Sequence, residues 1–159
     1  MFNLRDVLDM AIQIERNGES VYRKALARTT DPELAEMLAW MAAEESRHAR
    51  HFNDILQKLT AEADNLLMDE LGRLMLKSIV GNRSFSLEDV DFSRVEEVNE
   101  LLQIMIAFEK DTVQFYHLFR NFLTDTDEQA CLDAIIADEQ AHIRELEECR
   151  DKNLACHKS

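Results

Sequence analysis

Glycine and proline are scarce in this chain, with three glycines and one proline among 159 residues. Both residues punctuate turns and interrupt helices. Their scarcity argues against a sheet-rich fold and for long uninterrupted helices packed as one domain. Cysteine is equally rare. Cys131, Cys149 and Cys156 are odd in number and form no Cys-x-x-Cys pair, so neither a disulfide framework nor a cysteine-ligated iron knuckle is indicated. Basic residues are outnumbered, 18 against 32 acidic, for a net charge of −14. Nucleic acid and anionic membrane are therefore excluded as expected partners. No apolar stretch is long enough to span a bilayer, and the first residues lack an apolar signal core, so a soluble cytoplasmic protein is expected.

What the chain has in quantity is carboxylate, and some of it recurs in register with histidine. Glu45 and His48 form a Glu-x-x-His pair, and Glu139 and His142 form another. A lone glutamate stands 30 residues before each pair, Glu15 before the first and Glu109 before the second. Each member of one set lies 94 positions from its counterpart in the other. On a helix, residues three apart lie about 60° apart around the axis and roughly 4.5 Å along it, so each glutamate points the same way as its histidine. Two helices giving a glutamate each and two giving Glu-x-x-His is the ligand layout of two-metal carboxylate bundles. In that layout Glu15 and Glu109 are terminal ligands, Glu45 and Glu139 bridge, and His48 and His142 complete the two ions.

Four carboxylates balance two divalent ions. Without metal they would repel one another, and some would have to stay protonated. A single Glu-x-x-His is common on solvated helix faces and carries little weight alone. The doubled set carries more. Glu109 ends a largely apolar run over 101–108, and its neighbours one turn back, Met105 and Ile106, are both apolar. Charged residues are rarely placed so without a partner. Iron fits these donors, and manganese or a mixed pair is compatible with them.

The expected elements are a helical hairpin over 3–59, a crossover over 60–92 and a second hairpin over 93–153, forming one all-α domain over 1–159. Asn3 can cap the first helix, 4–28. Asp31-Pro32 starts the second, which runs to about 59. The crossover carries a short amphipathic helix through Leu66, Leu71, Met75 and Ile79. Ser93-Arg94-Val95-Glu96 reads as a capping box for the third helix, which ends near 122, and Asp125 caps the fourth. The charged tail from about 147 is expected to fray.

Tyr22 and Tyr116 each follow their upstream glutamate by seven residues, two helical turns, and so share the ligand face. Because both copies have one, each is expected to hydrogen-bond a ligand carboxylate rather than simply fill the core. Gly18, one turn after Glu15, suits either close helix packing or space for a substrate beside the metals. Cys131 aligns with Met37 and is expected in the core. Trp40 is expected to pack, and Glu44, His51, His117 and His157 to be solvated.

Taken together, Glu15 with Tyr22, Glu45-Ser46-Arg47-His48, Glu109 with Tyr116, and Glu139-Gln140-Ala141-His142 resemble the rubrerythrin branch of the ferritin-like superfamily over nearly the whole chain. The resemblance implies a four-helix bundle with a non-haem di-iron centre, a homodimer or larger assembly, and reduction of hydrogen peroxide with electrons from a rubredoxin. The usual C-terminal rubredoxin domain is lacking in this sequence, so a separate rubredoxin-like donor is expected. The family's additional glutamate, one turn after the third-helix ligand, is replaced by Thr112. That leaves a symmetric set of four glutamates and two histidines, closer to bacterioferritin-like centres. Glu19 can stand in for it, although an exposed role suits Glu19 better. The same ligands also suit a ferroxidase that acts on dioxygen and handles iron. A metal-free structural bundle and an oxygenase acting on an organic substrate are the remaining readings.

Overall fold

The helices start where short-range chemistry starts them. Asp31 is extended (φ −78°, ψ 118°), and its carboxylate accepts hydrogen bonds from the backbone N–H groups of Glu33 (2.9 Å) and Leu34 (3.1 Å). Asp125 repeats the device 94 residues later, accepting from Asp127 (2.9 Å) and Glu128 (3.0 Å). Each cap satisfies two of the donors that a helix start leaves open.

The structure is a computed structural model and describes residues 4–59 and 98–156, with side chains to 152. It contains α1 (Leu4–Leu26), α2 (Pro32–Lys58), α3 (Val98–Arg120) and α4 (Thr126–Cys156). The expected crossover, its amphipathic helix, the capping box at 93–96, Asn3 and His157 lie outside the described residues. α1 packs along α2 and α3 along α4, giving two hairpins, with fewer close backbone approaches between α1 and α3 and between α2 and α4.

The hairpins bury two apolar clusters with a polar layer between them. One cluster holds the residues from Leu4 to Ile14 that face inward, with Phe52, Phe115, Phe119, Leu132 and Ile136. The other holds Val21, Leu34, Leu38, Met41, Leu102, Met105 and Leu146. On every helix the change from one cluster to the other falls at the same level, around Glu15, Glu45, Glu109 and Glu139.

Three expectations are corrected. Helix α4 does not fray at 147 but continues to Cys156. Its later turns are packed, with Leu146 fully buried and Cys149 against the cluster of Leu34 and Met37. Cys131 is exposed rather than in the core. Its neighbour Leu132 takes the inward position, about 100° away around the helix. His51 is half-buried rather than fully solvated, while Trp40, although 45% exposed, does pack its ring against His142.

Removing either cap should cost stability without touching the buried layer. Asp31→Ala and Asp125→Ala are each expected to lower the unfolding free energy by about 1 kcal/mol. Urea titrations followed by circular dichroism should show lower midpoints with unchanged slopes. An unchanged midpoint in both variants would mean that the caps do not set the helix starts.

Candidate metal centre

Each helix gives its polar residues to the middle layer by the three-residue spacing read above. Glu15 comes from α1, Glu45 and His48 from α2, Glu109 from α3, and Glu139 and His142 from α4, all 0% exposed. Their ligand atoms form two overlapping groups, each with its atoms within 4.8 Å of one another. One is Glu15, Glu45, His48 and Glu139, and the other is Glu45, Glu109, Glu139 and His142. Glu45 and Glu139 belong to both. The six residues singled out in the sequence are thus brought together, the two shared ones in the middle.

Nδ1 of each histidine faces the carboxylates. His48 Nδ1 lies 2.7 Å from Glu139 Oε1 and 3.3 Å from Glu15 Oε2. His142 Nδ1 lies 3.0 Å from Glu139 Oε2 and 3.2 Å from Glu45 Oε1. Despite these short distances, both Nδ1 atoms, both oxygens of Glu45 and Glu139, and Oε2 of Glu15 and of Glu109 lack aligned hydrogen bonds. Buried polar atoms are almost always partnered. Orphaned donor atoms converging on two shared carboxylates, with four carboxylates in all, fit two divalent cations in charge and in ligand type.

The tyrosines act across the bundle. Tyr22 donates to Glu109 Oε1 and Tyr116 donates to Glu15 Oε1, so each reaches the glutamate of the opposite hairpin. One oxygen of each of these two carboxylates is thereby gripped; Oε2 of Glu15 lies 3.3 Å from His48 Nδ1, and Oε2 of Glu109 has no hydrogen-bond partner among the described residues. Burial raises both phenols well above the usual tyrosine pKa, helped by the charges of Glu109 beside Tyr22 and Glu15 beside Tyr116, so both remain donors.

The outer nitrogens of the histidines differ, a feature the sequence reading missed. His48 Nε2 lies 3.3 Å from Asp138 Oδ2, and Arg47 bridges Asp138 (2.7 Å) and Glu44 (2.6 Å). A carboxylate on the outer nitrogen holds an imidazole's tautomer and ring angle. The available signal was Asp138 directly preceding Glu139. His142 Nε2 has no hydrogen-bond partner among the described residues, and the Trp40 ring meets His142 edge-on at 5.2 Å. Glu44 stands where symmetry would supply His142's partner but is turned to Arg47. Thr112, at 1% exposure, donates its hydroxyl to the Phe108 carbonyl at 3.0 Å. Glu19 pairs with Arg23 at 2.7 Å, away from the layer.

A family model described as rubrerythrin matches residues 6–149. The chain belongs to the rubrerythrin family. Among solved structures it is similar to a chain from Thermotoga maritima, described as a ferritin-like diiron-carboxylate protein, at 23% identity and a TM-score of 0.72 over 96% of this chain and 97% of that one. This likeness supports the expected ferritin-like four-helix bundle. No curated protein matches the sequence. No described helix of this rubrerythrin-family chain is long and apolar enough to cross a membrane.

Burial drives the Glu45 carboxyl well above the ordinary carboxylate range, and the neighbouring Glu139 and Glu15 charges push the same way. Burial and Glu139 raise Glu109 to about 7 against the opposing pull of His142 and Tyr22. For the histidines burial acts downward but is overcome by the carboxylates close around them, Glu139 first for His48 and Glu109 first for His142. They are raised to about 11 and about 10. In each case the folded metal-free protein keeps protons that the unfolded chain has released. For Glu109 the stability from this source is complete below about 4.5 and is lost as pH rises to about 7. The histidines continue the decline above their ordinary value. A metal ion held here would displace these protons, so its affinity would rise with pH.

Two predictions follow from this geometry. Metal-free protein should melt lower at about pH 8 than at about pH 5.5, and the rise on adding Co(II) should be larger at the higher pH. A Co(II)-induced rise independent of pH would count against buried ligands holding protons. Tyr22→Phe, which leaves Glu109 Oε1 without its donor, should weaken metal binding about 10- to 100-fold, read by calorimetric titration. Unchanged affinity would reduce Tyr22 to a packing residue.

Proposed function

We propose that this rubrerythrin-family protein is a non-haem di-iron oxidoreductase that reduces hydrogen peroxide, or dioxygen, with electrons from a separate rubredoxin-like donor. Glu15, Glu45, His48, Glu109, Glu139 and His142 would hold the two ions. The observation that carries the reading is the sharing of Glu45 and Glu139 between both ligand groups. Two shared carboxylates keep a pair of ions together, whereas separate sites would give no reason for the doubling. When bound, an iron pair supplies two one-electron changes, the number needed to take a peroxide O–O bond to water.

The protein's own part is to hold and shield. Tyr22 and Tyr116 orient the terminal carboxylates and stay protonated. Asp138 orients His48. Phe52 and Phe115, both 0% exposed, lie in the apolar cluster on one side of the layer, and Met41 and Met105 in the cluster on the other, which limits water around it.

A second reading, a ferroxidase that oxidises and passes on iron, draws support from Thr112. Its hydroxyl is committed to the Phe108 carbonyl, so this position offers no further carboxylate and the set stays at four glutamates and two histidines. The net charge of −14 suits gathering cations.

Anaerobic loading with Fe(II), followed by stopped-flow mixing with peroxide and with air-saturated buffer, separates the readings. The expected result is faster oxidation by peroxide, at least about tenfold over air, limited to the loaded pair. Faster oxidation in air, repeated through many irons per chain, would favour the ferroxidase. Failure to bind Fe(II) or Mn(II) would leave the metal-free bundle, in which Glu45→Ala stabilises the fold by removing a buried charge.

A further inference from the structure

Gly18 interrupts no turn and sits well inside α1, where alanine is the better helix former. Close packing and substrate space were both compatible with the sequence, and the structure shows what fills the space. A methyl group on Gly18 would come within 2.6 Å of Glu45 Oε2 and 3.1 Å of the Phe108 ring. The first approach is shorter than real contacts allow. The atom in the way belongs to the mobile end of a side chain, so it is the Glu45 carboxylate that would yield. The Phe108 ring needs to give only a few tenths of an ångström.

The two oxygens of Glu45 face different ways. Oε1 lies 3.2 Å from His142 Nδ1, in the group with Glu109. Oε2 lies against Gly18, one turn along α1 from Glu15. The counterpart of Gly18 in the other hairpin is Thr112, which has a side chain and turns it to the Phe108 carbonyl. The missing side chain therefore makes room for one bridging carboxylate and not the other.

We propose that Gly18 is a positioning residue for the shared carboxylate of Glu45: it keeps open the space that Glu45 Oε2 occupies. The proposal rests on the two-metal reading and goes beyond it in giving Gly18 a part in placing a ligand common to both groups. Gly18→Ala is expected to bind Co(II) about tenfold or more weakly than wild type, in the range that misplaced supporting groups produce.

The test uses the full chain, with calorimetry and the visible spectrum of bound Co(II) as readouts. Wild type should bind two ions. If it binds none, the two-metal reading fails before Gly18 is addressed. Gly18→Ala should then bind Co(II) about tenfold or more weakly, with an altered spectrum of the bound ion. Affinity and spectrum unchanged from wild type would overturn the proposal. Thr112→Ala is the control and should bind both ions as wild type does. A merely structural glycine is recognised by melting without metal. Metal-free Gly18→Ala should melt no lower than metal-free wild type, since alanine favours the helix. A clear drop, or failure to fold, would place the conflict in the packing against Phe108 and overturn the assignment to Glu45.

Discussion

Four carboxylates and two imidazoles share one dry layer across the middle of this bundle, and everything else is arranged around that burden. Six ionisable side chains at 0% exposure cannot all carry their ordinary charges at close range. Protons are one remedy, as the raised Glu45, Glu109 and histidine values show. Cations are the other. Apolar clusters at both ends exclude solvent from the layer and make either remedy necessary. The same clusters supply the burial that tolerates such a layer, since polar groups at this level are outweighed by apolar contacts along each helix.

The two hairpins repeat each other closely at the centre and less closely outward. Ligand residues, capping aspartates and tyrosines all recur at a shift of 94 positions. Just beyond them the copies part. His48 has Asp138 and Arg47 on its outer nitrogen, whereas His142 has the edge of Trp40. Gly18 gives way to Glu45, while its counterpart Thr112 keeps a side chain bonded to its own helix. A symmetric donor set thus sits in unequal surroundings. Two ions held there would have the same ligand types and different outer contacts, and outer contacts tune ligand basicity and solvent access.

Legibility from sequence followed the range of the interaction. Helix starts were readable because Asp31 and Asp125 act on donors two and three residues away. The six inward residues were readable because a three-residue spacing on a helix fixes a common direction, and the repeat made chance a poor explanation. That Tyr22 and Tyr116 meet glutamates was also expected, though not that each crosses to the other hairpin. Cys131 failed because alignment with Met37 was treated as burial, yet Met37 is itself only half-buried. The end of α4 failed because charge in sequence hid its packing against α2. Asp138, Arg47 and the space beside Gly18 depend on how the helices are rotated against one another. No spacing within one helix contains that information.

The crossed tyrosines bear on how the site comes into being. Were each to grip the glutamate of its own hairpin, a half-site could be braced before the halves met. Instead Glu15 is held by α3 and Glu109 by α1, and each ligand group draws residues from both hairpins. Neither hairpin can assemble a complete set alone. Docking brings the carboxylates together and creates the repulsion, and the same event creates the braces and the shared position of Glu45 and Glu139. Metal binding at this layer would therefore be linked to hairpin docking: ions that bind only the docked form would favour it by mass action. The bundle is strained in charge without metal, and it is that strain which gives cations their purchase on the fold.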